Sequence, residues 1–111
     1  MALLDDYEKF LREQGKSENT IKTYSGHVNE YYRWYKDTFG EELTLLYHTN
    51  ILDFRSYLQN IKKLKFKSID TKLSSLTSFN EFLVQIGVQK DLVITSEDRL
   101  KFQRRLQARR I

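Results

Sequence analysis

The side chains of this chain that could carry chemistry are basic and hydroxyl groups gathered at the starts of two predicted helices. Ser17 is placed to cap the first of these helices, with its hydroxyl accepting from the amide of Thr20. Free backbone amides and the positive end of the helix dipole favour a phosphate at such a position. The side chains that could contact it are Lys16, Ser17, Asn19, Thr20, Lys22 and Thr23. Capping alone explains most of this pattern, so phosphate binding needs a second observation.

A second helix start repeats the arrangement. Lys65 and Lys67 precede Ser68, the predicted N-cap, and small hydroxyl residues on the polar face that follows would let a DNA backbone approach closely. The predicted contacts here are Lys65, Lys67, Ser68, Thr71, Lys72 and Ser75. Arg104 and Arg105 in the basic C-terminal segment form a third basic element, which could cross DNA phosphates. A solvated terminal helix has a similar composition, so the prediction depends mainly on the two helix starts.

Residue patterns typical of enzymes and metal sites are not visible in the sequence. His27 and His48 lack the histidine, cysteine or clustered carboxylate partners that a metal site needs, and both are interpreted as exposed or capping side chains. The sequence contains no glycine-rich phosphate loop and no recognisable nucleophile motif. We therefore expect no cofactor, no metal and no catalytic residue in this chain.

The composition predicts one helical domain with an uneven charge. The 111 residues are 40% hydrophobic, and they include no proline and four glycines, which leaves little turn chemistry for a sheet. The lack of cysteine favours a cytoplasmic protein, and no apolar run approaches the roughly 20 residues of a membrane span. Residues 1–60 carry seven Lys and Arg against ten Asp and Glu, whereas residues 61–111 carry twelve against five. The basic second half fits a polyanionic partner.

Four amphipathic segments carry apolar residues at helical spacing. They are predicted from about Leu3 to Gln14, from Ser17 to Phe39, from the cap Thr49 to about Ile61, and from the cap Ser68 to Gly87. The run from Lys62 to Lys67 is interpreted as a charged loop. The spacing therefore predicts an all-α bundle of four helices over residues 1–88, followed by a basic linker or helix over residues 89–111.

Three stretches carry a family resemblance, in the order YEKFLREQGKSENTIKTYSGHVNEYYRWY, LLYHTNILDFRSYLQ and KSIDTKLSSLTSFNEFLVQIG. The first contains a Ser-x-x-Thr-x-x-x-Tyr helix start at Ser17, Thr20 and Tyr24. In this order and spacing the chain resembles the N-terminal core-binding (SAM-like) domain of phage-integrase-type tyrosine recombinases. Tyr24 lies on the apolar stripe, so we assign it to the core and not to the role of recombinase nucleophile.

The resemblance implies a SAM-like orthogonal bundle that forms one half of a clamp around duplex DNA, with the second and fourth helices toward the DNA. The implied function is sequence-directed binding of double-stranded DNA in a site-specific recombinase, with the parent's catalytic domain and sister protomers as protein partners. The implied location is the cytoplasm, in a bacterial or phage-encoded, DNA-associated protein. We expect weak binding, on the order of micromolar or poorer, that falls steeply with salt.

The chain departs from the family pattern in two ways, and the second bears on catalysis. The Asn-Pro pair usual after the fourth helix is missing from this chain. The catalytic His-x-x-Arg motif is missing too, because His27 is followed at that spacing by Glu30 and His48 by Ile51. We therefore expect that this chain is not itself an enzyme and that strand cleavage resides in another domain of an intact parent.

Two other classes of function remain open at this point. A helical protein-interaction module would dock a partner through exposed Trp34, Tyr32 and Tyr47, and it predicts an exposed apolar patch. A stand-alone helix-turn-helix regulator fits less well, because long second and fourth helices replace the short helix, tight turn and recognition helix of that motif.

Overall fold

Four α-helices account for most of residues 2–101, the part of the chain that the computed structural model describes. They are α1 (Ala2–Glu13), α2 (Glu18–Phe39), α3 (His48–Asn60) and α4 (Phe66–Gln85), and a 3₁₀ turn follows at Ser96–Asp98. No strand occurs among these residues, so the predicted all-α four-helix class is confirmed. None of the helices in this part of the chain combines the length and apolar character that crossing a bilayer requires.

The connection between α1 and α2 follows from two local signals. Gly15 adopts a left-handed φ of 80°, and its amide donates to the carbonyl of Arg12 at 3.0 Å. Glycine reaches this conformation at no steric cost, so it ends α1. The hydroxyl of Ser17 accepts from the amide of Thr20 at 3.2 Å and caps α2. The predicted boundaries on both sides of this connection are confirmed.

The fourth helix begins two residues before its predicted cap. Because α4 starts at Phe66, Ser68 lies inside its first turn, and the prediction of Ser68 as the N-cap is wrong. Lys65 holds the N-cap position without a capping side-chain hydrogen bond. The Phe66 ring is half-buried against the core, and packing of this kind outweighs the preference of a hydroxyl for the cap.

The third helix also begins earlier than predicted. It starts at His48, and the N-cap position is held by Tyr47 instead of Thr49. The His48 ring is fixed by a distant partner, since its Nε2 lies 2.7 Å from Oδ1 of Asp98. A contact across 50 residues cannot be read from a local capping pattern.

The core lies between the four helices and is rich in aromatic rings. Tyr7 of α1 meets Phe79 of α4 edge to face, with ring centroids 5.1 Å apart. Tyr31 of α2 meets Phe54 of α3 in the same way at 5.1 Å. Edge-to-face pairs of this kind add about 0.5–1.5 kcal/mol to the stabilisation from burial. Tyr24 is half-buried against this core, as its position on the apolar stripe predicts.

The hydroxyl of Tyr31 is buried in the core and has no hydrogen-bond partner within residues 2–101. An unsatisfied buried polar group costs about 1–3 kcal/mol. Tyr31→Phe is therefore expected to raise the free energy of unfolding by about 1 kcal/mol in a urea titration. The matched control is Tyr7→Phe, which should lower it, because the Tyr7 hydroxyl donates to Oγ of Ser78 at 2.9 Å. Equal effects of the two changes would contradict this account.

The segment after α4 packs back against the bundle. The side chain of Gln89 accepts from the amide of Leu46 at 3.2 Å and donates to its carbonyl at 2.7 Å. Asp70 of α4 accepts from the amide of Leu100 at 2.7 Å. Residues 89–101 are thus held by the bundle, and the predicted division into a core domain and a basic linker stays a prediction.

Candidate nucleic-acid interface

The start of α2 presents polar side chains to the surface. The Ser17 hydroxyl, besides accepting from the Thr20 amide, donates to Oγ1 of Thr20 at 3.0 Å, so its hydrogen bonds are made within the cap. Lys16, Asn19 and Lys22 are exposed. Neither lysine forms an ion pair with another of residues 2–101. These three side chains are free to reach a phosphate.

A groove of about 430 Å³ lies between α2 and α4. Its walls come from α2, from the α3–α4 connection and from α4, and the lining residues are Thr23, His27, Glu30, Lys62, Leu64, Ser68, Thr71 and Lys72. Four residues that the sequence singled out, one from the α2 start and three from the α4 start, therefore lie on one surface. We call this cavity the α2/α4 groove.

A second groove of about 200 Å³ adjoins the first along α2. Its lining residues are Gly26, Asn29, Glu30, Arg33, Trp34, Asp37, Tyr57 and Lys62. Glu30 and Lys62 line both grooves, so the two form one continuous surface, which we call the groove surface. Thr23, Gly26 and Arg33 recur at the spacing of one helix face. Gly26 and Arg33 are not among the contacts predicted from the sequence, although the same helical spacing continued from Asn19 includes both.

Lys72 enters the α2/α4 groove as one half of an ion pair. Its Nζ lies 2.6 Å from Oε1 of Glu30, and the two side chains are 18% and 29% exposed. The sequence predicted Lys72 as a phosphate contact, and the structure shows this cation neutralised by a residue 42 positions away. Glu30 had no part in the sequence-based prediction, because no local pattern connects it with Lys72.

The prediction that Ser75 lies on the exposed polar face is wrong. Ser75 is fully buried, with its Oγ 2.8 Å from Nδ1 of His27 and donating to the carbonyl of Thr71 at 3.2 Å. The helix α2 packs over this edge of α4, so a residue one turn beyond Thr71 is no longer at the surface. Burial of His27, together with the positive charge of Lys72, lowers the pKa of its imidazole, while Glu30 opposes the shift.

The lysines around the start of α4 are exposed. Lys62, Lys65 and Lys67 all reach solvent, and none forms an ion pair within the described part of the chain. The charge pattern of the sequence indicates only a charged loop at Lys62, so this residue is not among the predicted contacts. The predicted contacts Arg104 and Arg105 lie outside the described residues.

The aromatic residues proposed for protein docking are mostly covered. Trp34 packs against Phe54 with ring centroids 5.1 Å apart, and Tyr32 packs against Phe79 at 6.0 Å. Only Tyr47 of the three predicted residues is exposed, at 50%. These three residues therefore do not form the exposed apolar patch that this alternative predicts.

Comparison with known proteins gives a family. Residues 3–90 match the family described as phage integrase, N-terminal SAM-like domain. A protein of Bacillus thuringiensis described as TnP I resolvase is 42% identical over 103 residues, which cover 93% of this chain and 36% of that relative. The chain thus spans about a third of the length of the curated relative that it matches. No solved structure matches it significantly. Since the family match extends over all four helices and the groove surface, the chain belongs to the family of phage integrase N-terminal SAM-like domains.

Proposed function

We propose that this chain binds duplex DNA through the groove surface and the exposed lysines beside it, as the N-terminal DNA-binding part of a site-specific recombinase. Membership of the phage integrase family supports a role in recombination. Most contacts would be made to phosphates, which fix position, and exposed side chains of α2 and α4 would read base edges. The catalytic part of a longer parent and sister protomers on the same DNA are the partners that this function implies.

The observation that carries the proposal is Gly26. This residue is exposed in the middle of α2, and an added Cβ there would meet nothing within 4 Å. Glycine inside a helix costs roughly 0.5–1 kcal/mol relative to alanine, so the fold gains nothing from it. Glycine at this position would, however, let the backbone of a binding partner approach α2 closely.

The dimensions and charge of the surface fit a duplex. The helix rises about 24 Å between Ser17 and Arg33, which exceeds the roughly 12 Å width of the major groove. Side chains spread along α2 could therefore contact backbone on both sides of the groove, and lysines at the start of α2 and around the start of α4 would add phosphate contacts. These lysines are Lys16, Lys22, Lys62, Lys65 and Lys67. The other predicted contacts that remain exposed or half-buried are Ser17, Asn19, Thr20, Thr23, Ser68, Thr71 and Lys72.

The experiment that tests this proposal is Gly26→Leu. Leucine is the better helix former, so the free energy of unfolding should rise by about 0.5 kcal/mol or more. The affinity for a labelled duplex, measured by fluorescence anisotropy, should fall several-fold, because the leucine side chain would block close approach. The control is Gln85→Leu in the last turn of α4, an exposed position outside both grooves. Unchanged affinity in the Gly26 variant would contradict binding through this surface.

A further inference from the structure

We propose that Glu30 restrains non-specific DNA binding by holding Lys72 in a neutral pair inside the α2/α4 groove. The inference rests on the proposed function, and it adds a residue that sets how strongly any duplex is held. It assigns Glu30 the role of setting the sequence-independent, electrostatic part of the affinity.

The Lys72–Glu30 pair differs from the surface ion pairs of the described chain. The side chains of Arg12–Glu18 and of Lys36–Glu42 are each more than half exposed, so water and salt screen them strongly. The side chains of Lys72 and Glu30 are less than a third exposed and both line the groove. Reduced screening holds this pair together more firmly, and it keeps the net charge at this point of the groove close to zero.

A phosphate that enters the groove meets the Glu30 carboxylate as well as the Lys72 ammonium. Repulsion from the carboxylate offsets attraction to the lysine, and this happens for every DNA sequence because phosphates carry no sequence information. Contacts to base edges made elsewhere on the surface are not weakened in the same way. A charge of this kind therefore lowers the affinity for every duplex by a similar factor, and it leaves the ratio of affinities between sequences to the base contacts.

A purely structural role for the pair predicts a different outcome. Glutamine has nearly the shape of glutamate and keeps an oxygen that can accept from Lys72, so Glu30→Gln removes the charge with little change in packing. A pair that served only the fold would leave DNA affinity unchanged or reduced in this variant. The proposal predicts a gain, which structural damage does not produce.

The test measures binding of a random-sequence duplex to the chain and its variants. Glu30→Gln should bind about tenfold more tightly at about 0.1 M salt, because one more free cation adds roughly 0.9 to the slope of log affinity against log salt. The matched control is Glu42→Gln, which removes the same charge and frees Lys36 outside both grooves. Its affinity should change by no more than about twofold.

Two further variants assign the gain to Lys72. The gain from Glu30→Gln should disappear when Lys72→Gln is also present. Lys72→Gln alone should weaken binding several-fold, because it leaves the Glu30 carboxylate unpaired in the groove, and the double variant should bind about as tightly as the unmodified chain. The loss from Lys72→Gln is measured on a chain that keeps Glu30, so it does not depend on the folding of the Glu30→Gln variant.

The outcomes separate the inference from the proposed function. Equal effects of Glu30→Gln and Glu42→Gln, a gain that persists without Lys72, or unchanged affinity in Lys72→Gln would overturn the role of Glu30. In each of these cases, salt-dependent binding of duplex DNA by the unmodified chain would still support the proposed function. Absence of duplex binding in the unmodified chain would contradict the proposed function itself.

Discussion

Replacing Lys62 and Lys67 together by glutamate is expected to weaken duplex binding by on the order of 100-fold at about 0.1 M salt. Lys62 lines both grooves, and Lys67 is exposed in the first turn of α4. Each change removes a cation that would release a counterion from DNA, and each places a carboxylate near a phosphate. Fluorescence anisotropy with a labelled duplex measures the loss, and circular dichroism should show that the helical content is retained.

The control for this variant separates position from net charge. Lys9 and Lys90 are exposed and lie outside both grooves. Replacing both by glutamate lowers the formal net charge from +4 by the same four units. We expect only a small loss of affinity from this pair. If the two double variants lost affinity equally, net charge would explain the binding and the groove surface would be the wrong site.

Asn80→Ala is expected to lower the free energy of unfolding by about 3 kcal/mol. Asn80 is fully buried, and its Oδ1 accepts from the amides of Val93 at 2.7 Å and Ile94 at 3.3 Å. Its Nδ2 donates to the carbonyl of Asp91 at 3.2 Å. Alanine would leave three backbone groups without this partner, and the loss of three hydrogen bonds at about 1 kcal/mol each gives the expected destabilisation.

The thermal midpoint of the Asn80 variant should fall by roughly 15 °C, given the usual entropy of unfolding for a domain of this size. Asn60→Ala is the comparison, because Asn60 lies at the surface and, within residues 2–101, its side chain donates only to Oγ of Ser56. That change should stay within about 0.5 kcal/mol. Similar midpoints for the two variants would show that Asn80 does not hold the segment after α4 to the bundle.

The parts of the fold that local signals specify were predictable from the sequence. Gly15 and Ser17 determine their helix boundary through backbone conformation and capping, which depend on neighbours only. The start of α4 was not predictable in this way. Because Phe66 packs against the core, the helix begins at Phe66, two residues before Ser68. Apolar spacing showed which faces are buried, but not which neighbour covers them.

The candidate site, like the fold, was predictable from the sequence only in part. The sequence identified Thr23 and Thr71 as surface residues on two helices, and the structure brings both into one groove. The sequence could not show that Thr71 is exposed and Ser75 is buried, because residues one turn apart share a helix face. Ser75 is buried only because α2 crosses α4 at that point. The sequence also could not connect Glu30 with Lys72, because an ion pair across 42 residues depends on how two helices pack. Charge patterns therefore indicated a polyanion partner without showing which cations are free.

The salt dependence of duplex affinity tests DNA binding by the groove surface most directly. Five exposed lysines beside that surface are free of ion pairs within residues 2–101, namely Lys16, Lys22, Lys62, Lys65 and Lys67. Three to five phosphate contacts predict a slope of about −3 to −5 for log affinity against log salt concentration. Raising salt from about 0.05 M to about 0.2 M should then weaken binding by on the order of 100-fold. A slope near zero, or no binding at the lowest salt, would contradict DNA binding by this domain.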